Sequence, residues 1–264
     1  MKFTAVLTGC SSVLLPFAVK KLCFGERTKT CSATSNVGYT AYDQWNWNWD
    51  GKYDFNNNGA GTKHYLLVAD ADNSEAASAS NCLSPAGVKR AEQCGDYVAR
   101  IVGKEKLKIS KILHAEDAFS SGTKDSVLSK LKGLQCGGVA SAFLNKCVPY
   151  EFSPNNKDVF HVLENNEEYL RNGMKLVSFA RSEFHRSEAL CDGADELRIL
   201  FAHKNVIAFL FCMLMQLPLE AWKRFDMKPC SVTWLKINKD GHVHCKCYGD
   251  THYLEAGLVE KDLS

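Results

Sequence analysis

A histidine between a buried strand and a buried helix is the first candidate for chemistry. The stretch Leu197–Trp222 begins with an apolar run that predicts a short strand, and Asn205–Gln216 predicts a helix, with His203 between them. A strand that runs directly into a helix leaves backbone N–H groups unpaired at the turn, and these groups favour an anion such as phosphate. A histidine there can donate to phosphate oxygens or transfer a proton. The alternative is that His203 only caps the helix or packs in the core.

Four residues near the carboxyl end have metal-binding side chains but lack a metal-binding arrangement. His242, His244, Cys245 and Cys247 lie in a predicted strand. Alternate side chains of a strand point to opposite faces, so the two histidines would lie on one side and the two cysteines on the other. We therefore expect no zinc site there, and we assign no metal or cofactor to the chain.

Three tryptophans at alternate positions form a second unusual pattern. Trp45, Trp47 and Trp49 are followed by Asp50, and in an extended segment all three rings would lie on one face. Such a large amphipathic area is expected to dock, either on the chain's own domain or on a neighbouring subunit. These four residues are the candidates for self-association.

The elements that would position these residues alternate between strands and helices. Strands are predicted at Tyr65–Val68, Ile109–His114, Val139–Val148, Leu197–Ala202, Ser231–Ile237 and His242–Tyr248. Helices are predicted from Ser84-Pro85 towards Ile101, and at Ser126–Leu134, Glu164–His185 and Asn205–Gln216. The predicted fold class is α/β, a three-layer α/β/α sandwich with a mostly parallel central sheet. The last two strands are expected to form a hairpin with an Asp240-Gly241 turn.

The composition is typical of one globular domain. The chain has 264 residues, of which 45% are hydrophobic and 23% charged, which is enough for one sizeable core. The net charge of +2 predicts no nucleic-acid surface. The 12 cysteines lack a framework spacing, which favours reduced thiols.

The amino-terminal segment has the pattern of a membrane anchor. Phe3–Val19 is mostly apolar, and Lys20 and Lys21 stand where a signal cleavage site would need small residues. Its length is at the lower limit for a span, and a cleaved targeting peptide is the alternative. We divide the chain into an anchor or targeting segment at 1–24, a linker with the tryptophan motif at 25–62, and a globular domain at 63–264.

Several stretches together resemble the histidine phosphatase superfamily, whose fold is phosphoglycerate mutase-like. The strongest part is Ala202–Asp250, where HKNVIAFLFCMLMQLPLEAW, SVTWLKI, DGHV and YGD are similar to that family in order and spacing. Leu83–Gly87 resembles the family's first helix. Trp45–Asp50 resembles the self-association segment of its mitochondrial serine/threonine protein phosphatases. The resemblance implies a protein tethered to the outer or inner mitochondrial membrane by a single N-terminal anchor.

The same resemblance implies that most catalytic residues are replaced. In the superfamily a strand ends in Arg-His and that histidine attacks phosphorus, while two arginines and a second histidine bind the phosphoryl oxygens and an acid protonates the leaving group. Only the second histidine, His203, followed by Asn205, stands where the family pattern places it, and Lys204 replaces a small residue in the turn. The other positions carry Ala69 and Asp70 for Arg-His, Phe119 for the second arginine and Lys146 for the acid.

A second resemblance concerns the same strand end. Asp70 and Asp72 after an apolar strand look like the signature of aspartyl-phosphate phosphatases. In those enzymes the first Asp attacks phosphorus, the second handles the leaving group, and magnesium offsets the negative charge. The Gly-Thr that usually follows is missing here.

Three functions remain as alternatives. The first is a catalytically impaired scaffold, or pseudoenzyme, that assembles with itself or with active phosphatase relatives. The second is a weak serine/threonine protein phosphatase that uses His203 or Asp70. The third is a module that binds phosphate, or phosphoproteins such as kinases, through His203, Lys204 and Asn205 without turnover.

Overall fold

The computed structural model describes residues 45–52, 61–72, 83–131, 137–149, 167–186 and 195–259. The predicted anchor at 1–24 and most of the predicted linker lie outside these ranges. None of the helices within them is both long enough and apolar enough to cross a membrane.

Six strands form one sheet. They are β1 (Lys63–Ala69), β2 (Lys108–His114), β3 (Val139–Ala140), β4 (Glu196–Ala202), β5 (Val232–Ile237) and β6 (Val243–Asp250). Their order is β3-β2-β4-β1-β5-β6. The first four strands pair in parallel, and β5 and β6 are antiparallel to their neighbours. The predicted mostly parallel sheet is therefore confirmed.

Helices lie on both faces of this sheet. They are α1 (Pro85–Glu105), α2 (Ala118–Leu128), α3 (Glu167–Glu183), α4 (Lys204–Leu214) and the short α5 (Ala256–Val259). Two 3₁₀ helices add to them, at Ala142–Leu144 and Leu219–Arg224. The side chains of β1 divide between two cores, because Tyr65 and Leu67 pack with α3 and α4, whereas Leu66 and Val68 pack with α1. This arrangement is the predicted three-layer sandwich.

Helix α4 confirms the prediction of a buried helix. Seven consecutive residues from Val206 to Cys212 are buried. They pack with β1, β4, α3 and the second 3₁₀ helix. The central strands and α4 thus hold His203 between two rigid elements.

Helix α1 begins with the predicted cap. The Ser84 hydroxyl accepts a hydrogen bond from the Gly87 N–H (3.0 Å), and Pro85 fills the first helical position, where its missing N–H costs nothing. Arg90, on the inward face of α1, is 4% exposed. Its Nε and Nη2 donate to the Leu258 carbonyl (3.0 and 2.9 Å), so this arginine attaches α5 to the core.

The hairpin of β5 and β6 forms as predicted. Ile237 pairs with Val243, and the turn between them contains Gly241 with a φ of +86°. A Cβ at that glycine would come within 2.3 Å of the Arg186 guanidinium. Glycine is therefore required there both by the backbone conformation and by the space available.

Two predicted elements are wrong in their limits. The helix predicted at Ser126–Leu134 is α2, which begins eight residues earlier because Asp117 caps it by accepting from the Ser120 N–H (2.9 Å). The strand predicted at Val139–Val148 is reduced to two residues, because the chain turns into a 3₁₀ helix after Ser141. The first residues of the helix predicted from Glu164 lie outside the described ranges, and the helix ends at Glu183.

Candidate functional site

Asp70 and His203 follow the carboxyl ends of two neighbouring parallel strands. The last paired residues of β1 and β4 are Ala69 and Ala202, and the Asp70 N–H donates to the Ala202 carbonyl (3.2 Å). Adjacent strands lie about 4.8 Å apart, so the two side chains start from neighbouring positions at one edge of the sheet. Ligands bind at this edge in open α/β sheets.

His203 caps helix α4 with its own ring. Its Nδ1 accepts a hydrogen bond from the Asn205 N–H (3.3 Å), and the residue is 8% exposed. A neutral imidazole that accepts at Nδ1 carries its proton on Nε2. Burial, together with the positive charges of Lys146 and Lys204, lowers the pKa of His203 to about 4. At neutral pH this histidine is therefore uncharged. Its Nδ1 caps the helix, and its Nε2–H is available to donate to a ligand.

Asp70 is buried beside helix α2. It is 4% exposed, and its Oδ1 accepts a hydrogen bond from the Ser120 hydroxyl (2.6 Å). Burial, with a smaller effect of Asp117, raises the pKa of Asp70 to about 7, although the Ser120 hydrogen bond and Lys146 oppose the increase. The carboxyl is consequently only partly ionised at neutral pH. No sequence pattern had singled out Ser120, which lies one helical turn before the buried Thr123 and two turns before the buried Val127.

Asp117 and Lys146 act electrostatically on both Asp70 and His203, and we call these four residues the strand-end site. Both Asp117 and Lys146 shift the pKa of Asp70 and of His203. Among the residues that the structure describes, no arginine contacts Asp70 or His203. The site therefore combines two carboxyl groups, one lysine and one neutral histidine.

Asp72 does not join Asp70. Its Oδ2 accepts from the Ser84 N–H (2.6 Å), and its Oδ1 lies 3.8 Å from Arg90 Nη1. A Cβ on Gly87 would come within 2.2 Å of the same Oδ2, so the glycine makes room for this carboxylate. Asp70 thus contacts α2, whereas Asp72 contacts α1. This separation argues against the joint role that the two acids of the Asp-x-Asp motif have in aspartyl-phosphate phosphatases. Arg90 could have been found from the sequence as the one basic residue among the inward positions of α1.

The residues at the replaced family positions do not supply the missing catalytic groups. Ala69 is buried, and Phe119 is half-buried near the start of α2, where its carbonyl accepts from the Thr123 hydroxyl (2.7 Å). Lys146 is exposed. Lys204, also proposed to bind phosphate, pairs instead with Asp226 (3.0 Å).

The histidines of the hairpin lie together. The rings of His242 and His244 are 4.4 Å apart, as expected for alternate residues on one face. Cys245 is exposed, and the register of β6 shifts between Cys245 and Cys247. Within the described ranges, no group of three or more His, Cys, Asp or Glu side chains is arranged to hold a metal ion.

The tryptophan segment forms turns and docks on its own chain. The Trp49 N–H donates to the Asn46 carbonyl (3.2 Å), so the extended conformation required for a shared face is not formed. Trp45 and Trp49 pack against the core around α4, whereas Trp47 is 46% exposed. The Trp49 Nε1–H also donates to the Gly241 carbonyl (2.7 Å). The intramolecular contact is therefore present, and contact with a second subunit stays a prediction.

Comparisons with known proteins identify relatives in sequence. The family described as the histidine phosphatase superfamily, branch 1, matches residues 179–251. The mitochondrial serine/threonine-protein phosphatase Pgam5 of Drosophila simulans is 30% identical over 197 residues, covering 74% of this chain and 63% of the relative. Its counterpart from Mus musculus is 28% identical over 179 residues, covering 68% and 59%. This chain thus spans less than two thirds of the length of these relatives.

A solved structure supports the fold. The phosphoglycerate mutase of Plasmodium falciparum superposes with a TM-score of 0.51 and 20% identity, covering 74% of this chain and 96% of that one. At this identity the match concerns architecture alone. The matched region runs from α3 to β6 and contains β4, His203 and α4, so the chain is similar there to the histidine phosphatase superfamily, branch 1, and it is a distant relative of the mitochondrial Pgam5 phosphatases.

Proposed function

We propose that this chain is a catalytically impaired histidine phosphatase, a pseudoenzyme that acts as a membrane-tethered scaffold in mitochondria and as a partner of active relatives. The observation that carries the proposal is the environment of Asp70. This residue follows β1 where the superfamily has its attacking histidine, and it is buried and hydrogen-bonded to Ser120. Deleting the nucleophile of an enzyme costs roughly 10⁴ to 10⁶ in rate.

His203 is a poor replacement for the missing nucleophile. Its Nδ1 lone pair already accepts the Asn205 N–H, and in the neutral ring Nε2 carries the proton. Neither nitrogen therefore offers a free lone pair to phosphorus. The ring can still donate one hydrogen bond to a phosphoryl oxygen.

The site also has fewer cationic side chains to bind the phosphoryl oxygens. Phosphoryl transfer relies on cations that stabilise charge in the transition state. Here the family's arginine positions carry Ala69 and Phe119. Of the two lysines nearby, Lys204 is paired with Asp226, and Lys146 is exposed to solvent. A dianionic substrate would gain little stabilisation from this set.

The scaffold role is supported by features outside the strand-end site. The relatives from Drosophila simulans and Mus musculus are named as mitochondrial phosphatases, and the anchor predicted at 1–24 fits a mitochondrial membrane. Trp47 leaves an exposed indole in the segment that resembles a self-association motif. We propose that this surface contacts further copies of the chain or active relatives. We also propose that the resulting assembly binds phosphoproteins such as kinases.

The alternative is a weak serine/threonine protein phosphatase that uses Asp70 with His203. One observation favours it, because the second oxygen of Asp70, Oδ2, has no hydrogen-bond partner within the described residues, and the Asp70 backbone N–H is bonded to the Ala202 carbonyl just before His203. A carboxylate can attack phosphorus once it is ionised. Such activity should increase with pH as Asp70 loses its proton.

The experiment is phosphate release from phosphoserine and phosphothreonine peptides by the full chain, with and without magnesium. The mouse relative serves as the positive control, and Asp70→Asn is the paired variant. We expect the wild type and the variant to equal buffer while the relative turns over. Turnover that disappears in Asp70→Asn would refute the pseudoenzyme and establish the alternative.

A further inference from the structure

The amino end of β1 carries a buried histidine whose hydrogen bond determines its protonation state. His64 is 4% exposed, and its Nδ1 accepts a hydrogen bond from the Trp234 indole N–H (3.1 Å). An indole can only donate, so Nδ1 must present a lone pair, and the ring is the neutral tautomer with its proton on Nε2. This hydrogen bond joins β1 to its neighbour β5.

The other ring nitrogen of His64 lies close to a carboxylate that it does not reach. Nε2 is buried and has no hydrogen-bond partner within the described residues. Asp195 Oδ2 is 3.8 Å away, beyond hydrogen-bond distance, and the other oxygen of Asp195 accepts from the Thr62 backbone N–H (3.0 Å). Burying a donor without a partner is costly, so a movement of the ring towards Asp195 would recover a hydrogen bond.

Protonation of His64 changes both ends of the ring at once. A proton on Nδ1 converts the acceptor for Trp234 into a donor, and two N–H groups then face each other at 3.1 Å. The same proton makes the ring positive, so its Nε2–H is attracted to the Asp195 carboxylate. Both effects move the ring in one direction, away from Trp234 and towards Asp195.

We propose that His64 is an acid-operated latch between β1 and β5. The neutral ring holds the Trp234 indole, and the protonated ring releases the indole and pairs with Asp195. Trp234 is 8% exposed, and the Nζ of Lys246 on β6 lies 5.6 Å from the centroid of its ring. Release of the indole therefore loosens the outer edge of the sheet, which β5 and β6 form.

The latch is separate from the strand-end site. His64 and Asp70 lie at opposite ends of β1, about 20 Å apart along the strand. The response of His64 to pH therefore does not depend on whether the strand-end site binds or hydrolyses a phosphate. The latch goes beyond the proposed function and stands or fails independently of it.

Burial is the largest influence on the pKa of His64 and places it below the ordinary value of 6.5. Charged groups from four elements modify this effect. Asp195 before β4 and Glu105 at the end of α1 favour the protonated ring, whereas Lys236 on β5 and Lys246 on β6 disfavour it. The other titratable or charged residues at this end of the sheet are Lys63, Lys106, Lys108, Glu196, Arg198 and His244. We therefore expect release below pH 6.5.

The indole N–H signal of Trp234 in a nitrogen–proton correlation spectrum measures the state of the latch. The full chain, in detergent micelles, contains 5 tryptophans, and the indole signal that is missing in Trp234→Phe belongs to Trp234. Between pH 8 and pH 4.5 we expect this signal to move to lower proton frequency, because its hydrogen bond is lost. A signal that does not move, in a protein that circular dichroism shows to be folded, would overturn the proposal.

Two substitutions of His64 define the bonded and the released positions of the signal. The side chain of His64→Gln keeps an oxygen that can accept from Trp234 and does not titrate, so its signal should stay at the bonded position at every pH. His64→Ala has no acceptor, so its signal marks the released position, which the wild type should reach at pH 4.5. A pH dependence that persists in His64→Gln belongs to another group and refutes the latch.

Two charge substitutions test the latch with the histidine in place. Asp195→Asn removes a charge that favours protonation, so the midpoint of the transition should move to lower pH. Lys236→Gln removes a charge that disfavours protonation, so the midpoint should move to higher pH. Both side chains are partly exposed, so these variants should fold even where a substitution of His64 does not. Midpoints that stay fixed, or that move in the same direction, would contradict the proposal.

Discussion

Arg186 and Asp50 form a buried, bidentate ion pair between segments that are far apart in the chain. The Arg186 Nη2 donates to Asp50 Oδ1 (2.8 Å) and the Nε donates to Oδ2 (2.9 Å), while the Arg186 backbone N–H also donates to Oδ2 (3.0 Å). The two side chains are 6% and 0% exposed. This pair therefore fixes the tryptophan segment to the end of helix α3.

Asp50→Ala should destabilise the protein strongly. It removes the carboxylate that accepts three hydrogen bonds from Arg186, and breaking a buried pair in this way typically costs about 3–5 kcal/mol. Urea unfolding of the full chain measures the loss. Glu167→Ala is the control, because it breaks the exposed pair with Arg171 and should cost less than about 0.5 kcal/mol. A similar small effect for both variants would show that Asp50 is not an anchor.

Trp47→Ala should separate self-association from folding. Trp45 and Trp49 pack in the chain's own core, so their removal would disturb folding as well as any subunit contact. Trp47 is 46% exposed and should be removable with little change in the unfolding midpoint. If the segment joins subunits, the mass measured by sedimentation equilibrium should decrease in Trp47→Ala. An unchanged mass would leave this tryptophan without a role in assembly.

Asp70→Asn should stabilise the protein at alkaline pH. Because burial raises the pKa of Asp70 to about 7 from an ordinary 3.8, the folded state binds this proton more tightly than the unfolded state. The stability contributed by protonated Asp70 is complete below about pH 4 and is lost as pH rises to about 7. The variant lacks this loss, so its advantage should grow from near zero at pH 4 to at most about 4 kcal/mol at pH 8.

Urea unfolding at pH 4.5, 6 and 8 measures this advantage. Asp226→Asn is the matched control, since its carboxylate is exposed and the hydrogen bond from Lys204 lowers its pKa. The free energy of unfolding of Asp226→Asn, relative to the wild type, should not increase between pH 6 and 8. If Asp70→Asn behaves like the control, the carboxyl of Asp70 is ionised in the folded protein at neutral pH.

His203→Asn should show the opposite dependence on pH. Burial and the two nearby lysines lower the pKa of His203 to about 4 from an ordinary 6.5, so the unfolded state binds this proton more tightly. Its stabilising effect is complete above about pH 6.5 and is lost as pH falls to about 4. Asn preserves a helix cap without titrating. The wild type should lose up to about 3 kcal/mol relative to the variant between pH 7 and pH 4, and parallel curves would contradict this.

The sequence was most informative where one residue pattern had one physical solution. The apolar run at β4 followed by His203 and α4 predicted a buried strand and helix, and Ser84 before Pro85 predicted a helix start; both predictions are confirmed. The Asp240-Gly241 turn likewise determined the hairpin. These features depend on neighbours in the chain, which the sequence displays directly.

The remaining features depend on contacts between distant residues. Helix α2 starts at Asp117, but its small polar residues give a weak apolar period, and its packing against α1 decides its limits: a Cβ on Gly95 would lie 2.6 Å from the Val127 carbonyl. The separate partners of Asp70 and Asp72, namely Ser120 and Arg90, could not be read from an Asp-x-Asp pattern. The docking of Trp49 depends on Gly241, which is 192 positions away.

The bond from Arg90 to the Leu258 carbonyl bears on how the protein should be produced. A chain shortened before this carbonyl would lose the two hydrogen bonds that the buried Arg90 donates to it, close to the Asp72 carboxylate. Recombinant fragments intended for crystallisation should therefore retain Leu258, and affinity tags are better placed beyond a flexible spacer after it.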